Sequence, residues 1–306
     1  MEKLNYQFFL SLCIVLAGYG FKRSGLLTDK DGETLSRVVL NVTLPALILD
    51  TFSSFAMDRT LLILPLVCLV FGVAMSAISF QLFKTEPPGK RGLLSISSTG
   101  FNIGLFAFPL IEGVWGPEGL RYIAMFDMGN ALIVFFVCYL TGAFLSPNGR
   151  PVGAGEVARQ LLTFFPFISY MISLGMSFSG LHFPQFAADF IKTISRANMA
   201  LVLLLLGIFL DFSLNRSEWG RIARVLLLRY GFGLAVGVTL YFLLPIGALQ
   251  RGIIAIALIL PVGMSTIPYA VEFGYDAKLA VMLVNSTNII SFALMWMMST
   301  LIIWQK

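Results

Sequence analysis

The sequence predicts an all-α membrane protein of ten transmembrane helices, arranged as two inverted five-helix repeats. Three observations carry this. Of its 306 residues, 58% are hydrophobic and only 12% charged, with a mean hydropathy of +0.86. The polar residues collect in short links between apolar segments of membrane-crossing length. The two halves also match each other at a nearly constant offset. A soluble domain is about 25% charged, so half the usual solvating groups are missing. That excludes a soluble enzyme, a nucleic-acid binder and a disordered chain.

A helix crosses the hydrocarbon layer with about 20 residues. The segments fall near 5–22, 34–55, 60–83, 91–113, 119–145, 157–179, 187–212, 220–245, 251–272 and 277–304. The first is read as a retained helix: its apolar stretch from Phe8 to Phe21 runs into Lys22-Arg23 with no small-x-small cleavage pattern. Segments four and nine are interrupted by Gly and Pro near their middles, and the polar stretch from Asp211 to Arg224 separates seven from eight. Trp115, Trp219 and Trp304 near segment ends fit the interfacial aromatic belt.

The net charge of +5 is spread through the loops and reads as topology. Fourteen Lys and Arg, among them Lys22, Arg23, Arg37, Arg150, Arg221 and Arg224, lie on one side, and seven, among them Arg59, Arg251 and Lys306, on the other. The richer side is expected in the cytoplasm, with both termini outside, in a bacterial inner membrane. Cys13, Cys68 and Cys138 lie inside apolar runs, and His182 is the only histidine. Neither a disulfide framework nor a metal centre is expected. With no HExxH and no GxSxG, an enzyme is not expected.

At an offset of about 159 residues, Ser36-Arg37 meets Ser195-Arg196, Arg91-Gly92 meets Arg251-Gly252 and Pro109 meets Pro268. Asp127 and Asn130 meet Asn285 and Asn288 at 158. The expected units are 1–145 and 157–306, joined by a short cytoplasmic link at 146–156. A unit with an odd number of spans forces its copy to insert upside down, and inverted repeats with broken helices are the architecture of secondary transporters.

Segment four contains Asn102, Gly104 and Pro109; segment nine contains Pro261, Gly263, Ser265 and Pro268. Proline removes a backbone donor and glycine weakens a helix, so both segments are expected to unwind mid-membrane. Unwound backbone at that depth must pack in protein or line a cavity, and half-helix N-termini there suit a carboxylate.

The run from Asn102 through Pro109-Leu110, followed by Gly116-Pro117-Glu118-Gly119, is similar to the fourth span of the auxin efflux carrier family. Asn41-Val42-Thr43-Leu44-Pro45-Ala46-Leu47 resembles its second-span motif, and Leu260-Pro261-x-Gly263 with Pro268 its second crossover. The family includes plant auxin exporters and bacterial carriers assigned to malonate or malate. The resemblance implies the fold shared with bile-acid sodium symporters: spans 1, 2, 6 and 7 as a scaffold, and spans 3–5 and 8–10 as a mobile core whose helices four and nine cross. Elevator-like movement of that core would give alternating access, Asn102 would contact the substrate carboxylate, and a homodimer would be the assembly. Pro261 and Pro268 stand seven apart, wider than in the plant proteins.

A carboxylate within a span usually marks a proton or ion path. Asp127 with Asn130, and secondarily Asn285, Asn288 and Glu272, are therefore candidates for H⁺ or Na⁺ coupling. The blander reading keeps Asp127 hydrogen-bonded in the bundle or paired with Arg229, while Arg229 snorkels toward the cytoplasm. Taken together, the expectation is a carrier that moves a small carboxylate across the membrane in the direction of export, with no cofactor and no nucleic-acid partner. A Na⁺-coupled symporter of the bile-acid type and a non-transporting sensor on the same fold stand as alternatives.

Overall fold

The computed structural model describes residues 2–53, 58–147, 149, 152–211 and 216–304. Arg150 and Lys306, both in the charge count, lie outside them, as do the side chains of Arg59, Arg216 and Trp304 and parts of the 146–156 link. Among the described residues, all regular structure is helical apart from one two-residue bridge.

Helix α1 (Glu2–Arg23) is followed by α2 (Asp29–Val38), a π turn over Val39–Thr43, and α3 (Leu44–Ser53). Thr28 starts α2 with a capping box: its hydroxyl accepts from the Asp31 amide, and the Asp31 carboxylate accepts from the Thr28 amide at 2.8 Å. Then come α4 (Ile63–Leu82) and α5 (Pro88–Thr99), a π turn over Ile103–Ala107, and α6 (Phe108–Leu132) with α7 (Tyr139–Phe144). The second half holds α8 (Ala154–Thr163), α9 (Phe165–Ser179), α10 (Gln185–Ser195), α11 (Asn198–Ile208), α12 (Trp219–Leu226) and α13 (Gly233–Leu243). It closes with α14 (Ala248–Ala257), α15 (Thr266–Glu272) and α16 (Ala277–Trp304).

Seven helical runs are long and apolar enough to cross a membrane, and an eighth is added if the bent pair α8–α9 counts as one. The expected ten and these seven or eight differ at the interrupted segments. Ile103–Phe144 is one run of 42 residues, about 60 Å of helix, or twice the hydrocarbon thickness. It is broken at Gly116, whose φ of +65° precedes Pro117; that backbone region is open to glycine and costly for other residues. The segment near 157–179 is bent: α8 and α9 meet at 75°. Phe164 is extended and Pro166 occupies the first turn of α9, where its missing N–H would be unpaired anyway.

Packing relies on close backbone approach. A Cβ on Gly18 would stand 2.2 Å from the Leu204 carbonyl oxygen, and one on Gly207 2.0 Å from that of Val15. Helices α1 and α11 therefore touch main chain to main chain, the small-residue packing that membranes favour. The Thr43 hydroxyl, donating to Asn198 Oδ1 at 2.8 Å, ties the π turn before α3 to α11.

Where α5 and α12 begin, charged side chains close a network whose two carboxylates, Glu86 and Glu218, lie outside the membrane-crossing runs. Glu86 accepts from Arg221 Nε at 2.7 Å and from Arg224; Glu218 accepts from Lys90 and from Arg221 Nη1 at 3.1 Å. Burial raises the Glu86 carboxyl, but the hydrogen bonds and charges of Arg221 and Arg224 outweigh it and hold its pKa below the ordinary value. Glu218 is lowered in the same way by Lys90 and Arg221. A carboxylate with a depressed folded pKa contributes stability above its unfolded pKa and loses it as pH falls through the folded one. The expected result is that melting temperature drops between pH 5 and pH 3 in the native chain, and drops less in a Glu86→Gln/Glu218→Gln variant. Equal drops would assign the acid sensitivity elsewhere.

Candidate functional site

The two interrupted segments meet at their breaks. Phe101 and Val262 form an antiparallel bridge, and the Asn102 amide donates to the Pro261 carbonyl at 2.9 Å. Each break leaves backbone groups that its own helix no longer satisfies, and side chains from neighbouring helices take them up. The Asn130 side chain is bidentate on Phe101: Oδ1 accepts from its amide at 3.0 Å and Nδ2 donates to its carbonyl at 3.0 Å. On the other break, the Val262 amide donates to Thr287 Oγ1 at 3.1 Å, and Ser291 Oγ donates to the Ile259 carbonyl at 2.8 Å.

Thr287 thus does for the second break what Asn130 does for the first, at an offset of 157 residues. The sequence paired Asn130 with Asn288, one residue further on. Asn288 is 9% exposed, and its Oδ1 is buried without a partner.

Arg229 corrects a second expectation. It does not snorkel and does not pair with Asp127. Its side chain is 2% exposed and donates through Nη1 to the carbonyls of Ser97 and Gly100, both at 3.0 Å, and through Nη2 to those of Leu260 (2.8 Å) and Pro261 (3.1 Å). Its guanidinium carbon also lies 4.9 Å from the Phe101 ring centroid. The hydrogen-bonding capacity of four broken-helix carbonyls outweighs a route to the surface along an apolar helix face.

A cavity of about 730 Å³ runs from the breaks to a charged mouth at Lys22, Asp29, Glu33, Arg37 and Asp211. Asn102, Gly104, Asp127, Asn130, Gly263, Ser265 and Asn285 all line it. Its other walls are mostly apolar, including Leu44, Phe135, Phe164, Met264 and Val284. Asn102 is 4% exposed, and its Nδ2 has no hydrogen-bond partner; it precedes the helical run that starts at Ile103. Ser265 stands at the same place before α15.

Asp127 accepts from Tyr170 at 2.8 Å through Oδ2 and from Asn130 Nδ2 at 3.1 Å through Oδ1. One carboxylate thus joins α9, through Tyr170, to the residue that holds Phe101.

The remaining candidates lie off the cavity lining. Asn41 turns its side chain back to the Arg37 carbonyl at 2.8 Å. Pro109 is buried in the first turn of α6. Pro261 contributes its carbonyl to Asn102 and Arg229. Glu272, the last residue of α15, accepts from Tyr139 at 2.6 Å. Tyr170 and Thr287 were not singled out from the sequence, because a lone hydroxyl in an apolar helix carries no spacing signal.

Broken helices that line a cavity are a recurrent architecture of membrane transporters. Residues 8–149 match the family of membrane transport proteins. Two archaeal relatives align over most of their lengths. An uncharacterized transporter of Methanocaldococcus jannaschii is 25% identical over 283 residues, 88% of this chain and 89% of the relative. An uncharacterized transporter of Methanothermobacter thermautotrophicus is 25% identical over 285 residues, 92% of each. Over residues 8–149 the chain is similar to this membrane transport family, and both relatives carry the name of transporter.

Proposed function

We propose that the chain is a secondary transporter for a small organic anion, built from inverted repeats 1–145 and 157–306 and working by elevator-type alternating access, in the direction of export. The observation that carries this is the unpartnered side-chain Nδ2 of Asn102, a residue lining a cavity at two paired helix breaks. A carboxylate there would accept from Asn102 Nδ2 and from the free N–H groups that open the run at Ile103. Gly263 and Ser265 would face it from the second break. The mouth is lined by Lys22 and Arg37, residues of the cation-rich side, which supports an inward-facing state. The matched contacts of Asn130 and Thr287 support the repeat.

Asp127 is the proposed proton site. Its protonation would weaken what it accepts from Tyr170 and Asn130, and so loosen the link between α9 and the Phe101 break.

The test is charge movement in proteoliposomes with malonate, malate, succinate and indole-3-acetate, each at two pH values. Asn102→Ala is expected to lower apparent affinity for the transported anion by about 10–100-fold, the worth of one charge-assisted hydrogen bond. Unchanged kinetics would remove Asn102 from the site. Asp127→Asn is expected to flatten the pH dependence; a variant with the native pH profile would place the coupling elsewhere. Ligand-induced stabilisation with no flux under any condition would favour the sensor reading.

A further inference from the structure

We propose that the carbonyls of Ser97, Gly100, Leu260 and Pro261 form a monovalent-cation site that Arg229 fills permanently with its own guanidinium. This goes beyond the transport reading and does not depend on the identity of the substrate.

The four oxygens come from two different chain breaks. Ser97 and Gly100 belong to the C-terminal end of α5. Leu260 and Pro261 follow α14, whose helical turn continues through the Leu260 amide bonding the Ala257 carbonyl at 3.3 Å. Carbonyls at helix C-termini have no partner within the helix and carry the negative end of its dipole. Two such ends converging in a buried place create strong negative potential; the Asn102 amide donates to one of the four oxygens, that of Pro261, and Arg229 meets all four. Clustered backbone carbonyls are how proteins hold bare monovalent cations, and in discontinuous-helix transporters unwound carbonyls and half-helix C-termini coordinate the coupling ion.

Arg229 meets those oxygens with both terminal nitrogens, while its Nε is buried with no partner. Among the described residues it makes no ion pair within 4.0 Å. A buried guanidinium without a carboxylate is costly unless something else supplies the negative charge. Here the carbonyls supply it, with the face of Phe101 alongside. The chain therefore carries its own cation at the breaks, and no free Na⁺ or K⁺ is needed there.

A purely mechanical strap would also destabilise the protein when removed, but free cations would not replace it. The experiment is thermal melting of the purified full chain in Na⁺, K⁺, choline or guanidinium at equal ionic strength, with urea as a neutral isostere of guanidinium. The native chain is expected to melt at the same temperature in Na⁺, K⁺ and choline. Arg229→Ala is expected to melt about 10 °C lower in choline and to regain at least half of that loss, saturably, in millimolar guanidinium but not urea. Arg229→Met, whose side chain fills the space, is expected to stay low in every salt, and Arg229→Lys to stay near the native value. An Arg229→Ala variant that no cation restores, or that urea restores equally, would overturn the proposal. If that variant cannot be recovered folded, the native chain and Arg229→Lys decide. Saturable Na⁺ stabilisation of either overturns it, and indifference of both supports it.

Discussion

Replacing Asn130 by leucine is expected to lower the melting temperature by about 10 °C and to cut transport by more than about 100-fold. Leucine is close in size, so the effect is chemical. The amide and carbonyl of Phe101 would both lose the partner they have at 3.0 Å, deep in the protein. Each buried backbone group left unsatisfied costs about 1–3 kcal/mol, so the pair costs about 2–6 kcal/mol. Asp127 would lose one of its two donors as well. Transport should suffer beyond the loss of stability, because Phe101 precedes Asn102, and a displacement of about 1 Å at a reacting or binding group costs on the order of 100-fold. Thermal melting and proteoliposome flux on the same preparation check both parts. Native melting with native flux would mean that the break holds its shape without the clamp.

Gly207→Val is expected to prevent accumulation of folded protein, or to destabilise it by about 3 kcal/mol or more. The first added carbon would stand 2.0 Å from the Val15 carbonyl oxygen and 2.7 Å from the Tyr19 amide nitrogen. Neither neighbour is the tip of a flexible side chain, so α1 and α11 would have to separate. Gly175→Ala is a fitting control, since a Cβ there meets nothing within 4 Å. Comparable yield and melting for the two variants would show that α1 and α11 tolerate separation.

The apolar segments were legible because lipid makes each crossing long, apolar and bounded by polar residues. The last segment, 277–304, coincides with α16, and Gly-Pro pairs marked where helices break. Bends set by one residue were less legible: Pro166 reads as an ordinary membrane proline until Phe164 is seen extended before it. At the candidate site, small polar residues beside glycines and prolines pointed to the breaks. The partners of those breaks lie far along the chain. Arg229 reaches carbonyls 132 residues away, and nothing in its own helix announces them. Thr287 stayed hidden for a similar reason: it and Asn130 act on equivalent backbone with different side chains, so aligning like with like selects Asn288 instead.

The Phe101–Val262 bridge is in effect a sheet two residues wide, and a sheet has edges. An open strand edge is a template for any extended main chain. Here the Asn130 amide stands in for a third strand along Phe101, offering one donor and one acceptor as a peptide group would, and Thr287 covers the amide of Val262. At Phe101 both backbone groups of that edge are already taken. An extended chain could pair with Phe101 there only by displacing the Asn130 side chain.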